Sequence, residues 1–306
     1  MGGSSLNPLV SIIIPVFNGE KTIVRAITSC LEQSYKNFEI LIIDNCSNDN
    51  TSKLVQEFSD KQVNYIYTKD KGRALARNIG LNKAKGSYIQ FLDADDSLEK
   101  DKLKVSVNYL EKDRTSQAYS TGIEYRNTDN QQLKVVYPKS HYEDELLAHN
   151  IFPIHSLVFR ATNASIFPEE LDYCEDWLFW VRTLLGSKIY FNDNYIGGTV
   201  YIHGENTMAQ SNLMREYELY VQQRLKGEYK PSNLNLALKK NEISLLIIHY
   251  FNKKKLNLTK KCVSKNSKYT YLVVKVICNI PFLKKKLVKK VNSILAKDVY
   301  TGEEIK

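Results

Sequence analysis

Three aspartates near position 95 are the residues of this sequence whose type and spacing most directly suggest chemistry. Asp93, Asp95 and Asp96 follow the largely apolar run 88–92, where a buried strand is expected to end. Two carboxylates one residue apart at a strand end can turn toward one cavity, and Mg²⁺ and Mn²⁺ prefer such oxygen ligands together with the phosphate oxygens of a substrate. Asp is also common in turns and at helix N-caps, so these residues alone fit a metal site and a capped turn about equally well.

A second acidic pair, Glu175 and Asp176, opens an apolar segment that contains both tryptophans of the chain, Trp177 and Trp180. Nearby aromatic rings remove water from a carboxylate and raise its proton affinity, which suits a general base, and aromatic faces also stack on sugar rings. The alternative is that the two charges only stabilise a helix N-terminus through the macrodipole.

Polar residues in two other segments could bind parts of a nucleotide. Asp44 and the loop 45–49 offer acceptors for a nucleobase N–H or a ribose hydroxyl, although an Asx-turn before a helix that begins at Thr51 explains them too. Arg73 and Arg77 are four residues apart, so on a helix they share a face that could contact a pyrophosphate. The alternative for the two arginines is a solvated basic face.

One histidine, His203, follows the β-like run 198–202 and could complete a metal or diphosphate site. A turn or a hydrogen-bonded structural histidine explains it slightly better when the other motifs are set aside.

The elements that must position these residues alternate along the first hundred positions. Short β-rich runs and helical patterns follow one another as βαβαβαβ, which predicts a mainly parallel sheet covered by helices, with ligands at the carboxyl ends of the strands. The loops after the four strands, 15–20, 44–49, 68–73 and 93–96, are therefore expected to line one rim. Further on, strands are predicted near 118–126, 133–137, 156–160 and 195–202, and a helix near 176–185.

The last part of the chain is helical in pattern and strongly basic. The formal net charge is +9, yet residues 251–300 hold 14 lysines and one aspartate, so this stretch carries +13 and the remainder −4. Lysine clusters alternate with apolar blocks such as 271–277, a pattern typical of segments that lie on anionic membranes. A solvated helical bundle is the alternative, and the absence of arginine makes a nucleic-acid patch less attractive.

No apolar run reaches the roughly 18 residues that a membrane-spanning helix needs, and no secretory signal is recognisable, so we expect a cytoplasmic protein. The five cysteines are scattered and contain no CxxC pair, which argues against a disulfide framework or a zinc knuckle.

Five ordered motifs together resemble the family 2 glycosyltransferases with the GT-A fold, over roughly residues 9–205. They are Val10-Ser11-Ile12-Ile13-Ile14-Pro15-Val16-Phe17-Asn18, Ile42-Ile43-Asp44-Asn45-Cys46-Ser47-Asn48-Asp49, Ala76-Arg77-Asn78-Ile79-Gly80, Phe91-Leu92-Asp93-Ala94-Asp95-Asp96 and Glu175-Asp176. The resemblance implies an inverting transfer of a sugar from a nucleoside diphosphate donor to an acceptor hydroxyl, and the expected donor is a UDP-hexose or a UDP-N-acetylhexosamine.

The resemblance also implies roles for individual residues. Asp176 is expected to be the base that deprotonates the acceptor, with Glu175 as its neighbour and a possible contact to the donor sugar. A Mn²⁺ or Mg²⁺ ion is expected at Asp95 and Asp93, with His203 as a further candidate ligand. The nucleotide-sugar site is expected to comprise Pro15, Phe17, Glu20, Asp44, Arg73, Arg77, Asp93, Ala94 and Asp95.

The chain departs from the processive polysaccharide synthases, which resemble one another in a Gln-x-x-Arg-Trp signature and in membrane-spanning helices. Here Gln222-Gln223-Arg224-Leu225 lacks the tryptophan, which favours a single-addition enzyme. We expect a tag-like, disordered N-terminus (1–8), a catalytic domain (9–212) and a helical, lysine-rich, membrane-associating region (213–306).

The whole is then expected to extend a lipid-linked acceptor for capsule, O-antigen or another surface glycan at the inner face of the cell membrane. One alternative is a nucleotidyltransferase that makes the nucleotide sugar, although such enzymes resemble one another in a Gly-rich basic loop where this chain has residues 16–20. The other is a membrane-bound protein that binds nucleotide sugars without turning them over.

Overall fold

A computed structural model of the chain describes residues 7–58, 60–137, 142–203, 211–229, 236–252 and 255–297. The strands in this part of the chain are β1 Val10–Val16, β2 Phe38–Asn45, β3 Val63–Thr68, β4 Tyr88–Phe91, β5 Ser97–Leu98, β6 Ala118–Arg126, β7 Gln132–Val136, β8 Leu157–Arg160 and β9 Ile189–Tyr201. The helices are α1 Ile23–Leu31, α2 Thr51–Gln56, α3 Arg73–Lys83, α4 Lys102–Lys112, α5 Glu143–Ala148, α6 Glu175–Leu184, α7 Ser211–Tyr229, α8 Leu236–Phe251, α9 Asn257–Asn266, α10 Lys268–Asn279 and α11 Pro281–Lys297.

The first four strands form the predicted parallel sheet. Their order is β3-β2-β1-β4, and β1 lies between β2 and β4 in parallel register with both. Every residue of β1 and of β2 is buried, as expected for strands whose two faces are both covered. Because the four strands run the same way, the loops after them emerge at one edge of the sheet.

Beyond β4 the sheet becomes mixed. β8 pairs with β4 in antiparallel register, β6 pairs antiparallel with β8, and β9 lies parallel to β6, so the order continues β4-β8-β6-β9-β5. Because β8 runs opposite to β4, the start of β8 lies beside the end of β4. The parallel pattern predicted from the sequence therefore holds for one half of the sheet only.

Two helices, α1 and α6, pack through apolar or aromatic residues that are recognisable in the sequence. α1 buries residues 23, 26, 27 and 30, the spacing of a helix with one apolar face. α6 packs its aromatic residues into a buried cluster in which the rings of Phe167 and Phe179 stack at 4.0 Å and Phe91 meets Phe179 edge to face. This cluster fixes the start of α6, where the acidic pair Glu175 and Asp176 lies.

The chain divides into two compact units. One consists of Met1–Tyr142 with Ile151–Ile202 and contains the sheet, whereas the other consists of Glu143–Asn150 with His203–Lys306. The second unit is helical and has its own buried apolar cluster, which includes Leu219, Leu246 and Val263. Among the described helices, none is long and apolar enough to cross a bilayer.

Candidate active site

Hydrogen bonds join the loops at the carboxyl edge of the parallel strands. The backbone N–H of Asn18, after β1, donates to the hydroxyl of Ser47, after β2, at 2.9 Å. The N–H of Gly72, at the start of α3, donates to Oδ1 of Asn45 at 3.0 Å. A side chain on Gly19 would lie 2.5 Å from Cγ2 of Val16, so a glycine is needed where the first loop turns tightly. The predicted rim therefore exists as a connected set of loops.

Backbone strain accompanies this rim. Among the described residues, the non-glycine positions with positive φ are Asn18 (51°), Cys46 (67°), Asn130 (62°) and Cys174 (59°). Asn18 and Cys46 lie in the loops after β1 and β2, and Cys174 immediately precedes α6. Such conformations cost energy and persist where the surrounding structure imposes them, which is typical of functional loops.

Asp44 lies at the end of β2 and is buried, and both of its carboxylate oxygens accept hydrogen bonds. Oδ1 accepts a hydrogen bond from the N–H of Ser47 at 2.8 Å, and Oδ2 accepts one from the hydroxyl of Tyr65 at 2.6 Å. The Asx-type turn and the helix that begins at Thr51 are thus both present. A nucleotide contact of Asp44 stays a prediction.

The three aspartates after β4 form an acidic cluster. One carboxylate oxygen from each of Asp93, Asp95 and Asp96 lies within 4.8 Å of the others. Burial raises the pKa of Asp96 well above its usual value, and the negative charges of Asp95 and Asp93 raise it further. Asp96 also accepts a hydrogen bond from the N–H of Tyr201 at 3.1 Å, so it fixes β9 beside the cluster.

Arg77 connects the acidic cluster to the acidic pair of α6. Its buried guanidinium donates to Oδ1 of Asp93 at 2.8 Å and to Oε1 of Glu175 at 2.7 Å. Burial by itself would raise the pKa of Asp93, but the positive charges of Arg77 and Arg73 outweigh it and hold that pKa below its usual value. The alternative interpretation, in which the two arginines form a solvated basic face, is therefore wrong for Arg77.

The carboxyl group of Asp176 has a raised proton affinity. Burial raises the pKa of its carboxyl group to about 6, and the charge of Glu175 raises it as well, whereas Arg77 opposes the shift. The desolvation expected from the sequence is thus present. The tryptophans do not lie open to a sugar, however, because Trp177 and Trp180 are fully buried, so the expectation that their faces could stack on sugar rings is wrong.

The remaining predicted nucleotide-site residues surround the same rim. Phe17 is exposed after β1, with Nζ of Lys71 4.8 Å from its ring centre. Glu20 accepts hydrogen bonds from the backbone and side-chain nitrogens of Asn50, and Arg73 lies 3.8 Å from Glu175 with 40% of its side chain exposed. Pro15 is buried within β1, and Ala94 is half-buried within the acidic motif.

Two buried basic residues near the acidic cluster, His155 and Lys102, were not revealed by the sequence. His155 is buried with Nδ1 3.5 Å from Oδ2 of Asp96, and burial lowers its pKa to about 4, so the ring is neutral. Lys102 is also fully buried, and Nζ donates to the hydroxyl of Thr121 at 2.6 Å and to the carbonyl of Ser156 at 2.7 Å. Neither has a local motif, and only the antiparallel placement of β8 brings His155 to the cluster.

His203, by contrast, is not a member of the acidic cluster found among the described residues. It belongs to the second compact unit, and its role as a metal ligand stays a prediction. The residues 204–206 that follow it, which completed the apparent strand-end motif, lie outside the described part of the chain.

A sheet with this strand order, followed by an acidic cluster after β4 and an acidic pair at the start of a buried helix, is the arrangement of the GT-A fold class. Residues 11–169 match the family described as Glycosyl transferase family 2, and the chain belongs to this family. The fold and the family expected from the five motifs are confirmed.

The chain is similar to characterised transferases. WfgD of Escherichia coli, a UDP-Glc:alpha-D-GlcNAc-diphosphoundecaprenol beta-1,3-glucosyltransferase, is 35% identical over 182 residues, which cover 59% of this chain and 72% of WfgD. TarS 1-349 of S. aureus in complex with UDP-GlcNAc superposes with a TM-score of 0.61 at 20% identity, covering 96% of this chain and 90% of that one. The mannosyltransferase PcManGT of Pyrobaculum calidifontis, in complex with GDP-Man and Mn2+, gives a TM-score of 0.58 at 16% identity, covering 98% and 89%.

Proposed function

We propose that this family 2 enzyme transfers one sugar, with inversion, from a UDP-sugar to a hydroxyl group of a lipid-linked glycan acceptor. The donor proposed is a UDP-hexose or UDP-N-acetylhexosamine, and the product belongs to a capsule, O-antigen or other surface glycan. The bond between the anomeric carbon and the diphosphate breaks, the acceptor oxygen bonds to that carbon, and the acceptor proton moves to the enzyme.

The observation that carries this proposal is the double contact of Arg77. One guanidinium lies within 2.8 Å of both Asp93 and Glu175, so the acidic cluster and the acidic pair of α6 are held on two sides of a single cation. The chemistry needs these two sites close together, because the diphosphate must leave while the acceptor hydroxyl is activated.

Asp176 is the proposed base. A carboxylate whose pKa is raised to about 6 is a better proton acceptor than an ordinary aspartate, yet it is still ionised near neutral pH. It takes the acceptor proton as the new bond forms on the face of the sugar opposite the diphosphate. Glu175, paired with Arg77 and Arg73, orients the start of α6.

The acidic cluster suits a hard divalent cation. Three carboxylates with oxygens within 4.8 Å repel one another, and the pKa of Asp96 is raised first by burial and then by the charges of Asp95 and Asp93. Asp93 and Asp95 are the proposed ligands of Mn²⁺ or Mg²⁺, with His203 as a further candidate. When bound, such an ion would neutralise charge on the departing diphosphate.

The nucleotide is proposed to lie along the rim formed by the loops after β1, β2 and β4. Phe17 offers an exposed aromatic face, and Pro15, Glu20, Asp44, Arg73, Arg77 and Ala94 border the same space in this proposal. The UDP-Glc named for WfgD and the UDP-GlcNAc bound to TarS support a uridine nucleotide, and the Mn2+ bound to PcManGT supports the metal.

The acceptor is proposed to be membrane-borne. WfgD is named as an enzyme that acts on alpha-D-GlcNAc-diphosphoundecaprenol, in which the sugar is carried by a lipid. The lysine-rich helices of this chain would bring the enzyme to an anionic membrane where such a carrier resides.

The test is product formation from a panel of UDP-sugars and a short lipid-linked acceptor, followed by mass spectrometry with Mn²⁺ or with EDTA. We expect transfer with one donor, loss of transfer in EDTA, and severe losses for Asp95→Ala and Asp176→Asn, while Asp129→Asn, an exposed aspartate, is unaffected. Full activity of both variants and of the chelated enzyme would refute the mechanism. Release of pyrophosphate from a nucleoside triphosphate would show a nucleotidyltransferase instead.

A further inference from the structure

Helix α10 exposes an apolar face in a region that is otherwise basic. Its inner face, Tyr271, Val274 and Cys278, packs into the apolar cluster of the second unit. On the opposite side, Val276 is 67% exposed, and Phe282 at the start of α11 is 78% exposed. We call Tyr269, Leu272, Val273, Val276, Ile280 and Phe282 the docking face.

The spacing of these residues makes the docking face continuous. Positions 269, 272, 273, 276 and 280 follow the i, i+3, i+4, i+7, i+11 pattern of one side of a helix, and the inner positions 271, 274 and 278 follow the same pattern on the other side. Both sides of α10 are therefore apolar, but the core covers only one. Elsewhere among the described residues, exposed large apolar side chains are scattered singly or in pairs, which needs no explanation, whereas a contiguous patch does.

The charges around the docking face indicate what covers it. Between positions 255 and 297 there are 12 lysines and no aspartate, glutamate or arginine. Lys268 and Lys275 lie on α10 itself, and Lys284, Lys285 and Lys286 follow Phe282 on α11, all of them exposed. An apolar strip whose charged neighbours along this stretch are all lysines is complementary to a surface that offers hydrocarbon beneath a layer of negative charge.

We propose that the docking face lies in the headgroup layer of an anionic lipid bilayer, with α10 parallel to the membrane plane. α10 has 12 residues, about 18 Å of helix, which is too short to cross a hydrocarbon core of about 30 Å but suits a helix lying in the interface. The lysine stems lie along the apolar surface and carry their charges to the lipid phosphates.

Two other partners fit less well. A second copy of the chain would bring two lysine-rich surfaces together with no acidic residue between 255 and 297 to pair with them. A nucleic acid would use the lysines but would leave the valine, leucine and isoleucine side chains without an apolar counterpart, since affinity for nucleic acids comes mainly from phosphate contacts.

The docking face specifies which residues would bind the membrane in the proposed function. It rests on that function only in one respect, namely that membrane binding gives access to a lipid-linked acceptor. Its test uses the full chain and vesicle flotation, with phosphatidylcholine vesicles that contain or lack phosphatidylglycerol. We expect binding to the anionic vesicles, release by high salt, and little binding to the neutral ones. Equal binding to both kinds of vesicle would overturn the proposal.

The apolar contribution is tested with the double variant Val276→Ser and Phe282→Ser. We expect the vesicle partition coefficient to fall more than about tenfold, because burial of one such side chain is lost at each position. The matched control is Ile166→Ser, whose side chain is 69% exposed in the first unit. Unchanged binding of the double variant, with an unchanged melting temperature, would refute the docking face, as would an equal loss in the control.

The charge contribution is tested with Lys284→Gln, Lys285→Gln and Lys286→Gln together. Each lysine near an anionic surface contributes a factor of about five, so the triple variant should bind roughly a hundredfold more weakly. The control removes three exposed lysines of the first unit, through Lys36→Gln, Lys83→Gln and Lys104→Gln, and should bind nearly as well as the wild type. Equal losses in the two triple variants would reject a localised basic surface.

Two further outcomes separate this proposal from its alternatives. If light scattering shows a dimer that Phe282→Ser dissociates, and no vesicle binding occurs, the face belongs to a second copy and the proposal fails. Sugar transfer to a soluble acceptor tests the proposed catalytic activity independently of membrane binding. A chain that binds vesicles but never transfers a sugar would refute the proposed function and leave the docking face standing.

Discussion

Arg77 is the residue on which the geometry of the candidate site depends most. Its buried guanidinium pairs with Glu175, which is also buried, and with Asp93, whose side chain is 32% exposed. Removing one partner of a buried ion pair leaves the other charges uncompensated, which commonly costs about 3–5 kcal/mol. Arg77→Ala should therefore lower the free energy of unfolding by that order, measured by urea denaturation.

Arg73 provides the matched control on the same helix. Its side chain is 40% exposed and lies 3.8 Å from Glu175, so solvent screens the pair and Arg73→Ala should cost less than about 1 kcal/mol. Equal losses for the two variants would mean that the double contact of Arg77 does not stabilise the site. Arg77→Lys should recover only part of the loss, because an ammonium group cannot reach both carboxylates as a planar guanidinium does.

Asp176 links activity to pH. Its pKa is raised to about 6 by burial first and by Glu175 second, so the basic form required for catalysis accumulates only as the pH rises through about 6. We expect kcat/KM to fall on the acidic side with an apparent pKa near that value, and Asp176→Asn to lose most activity at every pH. Asp129→Asn should keep the wild-type profile, and an acidic limb that persists unchanged in a still active Asp176→Asn would exclude Asp176 as the base.

The same raised pKa has an opposite consequence for stability. A carboxyl group whose folded pKa lies above its unfolded value stabilises the fold at low pH, and this contribution is lost as the pH rises through the folded pKa. Above pH 6 the wild type thus carries an unfavourable, half-buried charge that Asp176→Asn lacks. The variant should melt at a higher temperature than the wild type at pH 8, and the difference should shrink toward pH 4. A constant difference across this range would contradict the assignment.

Among the elements, α3 positions Arg77, and its approach to the sheet depends on one glycine. A Cβ atom at Gly80 would lie 2.3 Å from Cγ2 of Ile13 in β1. Gly80→Ala should push α3 away from the sheet, cost about 1–3 kcal/mol in the free energy of unfolding and weaken catalysis. The control is Gly227→Ala in α7, where a Cβ atom would have no neighbouring atom within 4 Å. Because alanine has the better helix propensity, this substitution should leave the free energy of unfolding unchanged or raise it slightly. A neutral Gly80→Ala would show that α3 is not packed as described.

The elements also show what the sequence could and could not predict. The strands β1, β2 and β4 were predictable because continuous apolar runs between helical patterns indicate strands buried on both faces. The acidic cluster was predictable because it directly follows such a strand. His155 was not, since it joins the cluster only through the antiparallel pairing of β8 with β4, and no local pattern specifies the direction of a strand. The buried positions of Trp177 and Trp180 likewise depend on packing between distant segments.

At the scale of the whole molecule, two compact units each contain a buried apolar cluster. Leu110 is fully buried in the cluster of the first unit, and Leu246 is fully buried in that of the second. Every residue proposed for the nucleotide sugar, apart from the candidate ligand His203, lies in the first unit. Ligand binding and helix packing are therefore expected to stabilise different parts of the chain.

This separation predicts two unfolding transitions rather than one. Leu110→Ala and Leu246→Ala each remove a buried side chain and should cost about 2–5 kcal/mol, but each in the transition of its own unit. UDP with Mn²⁺ should raise most the transition that Leu110→Ala lowers, because a ligand stabilises the part that binds it and every proposed contact except His203 lies in the first unit. Calorimetry of the two variants with and without UDP and Mn²⁺ measures this directly. A single transition that both substitutions lower equally, and that UDP and Mn²⁺ raise in both variants, would mean that the two units unfold as one cooperative structure.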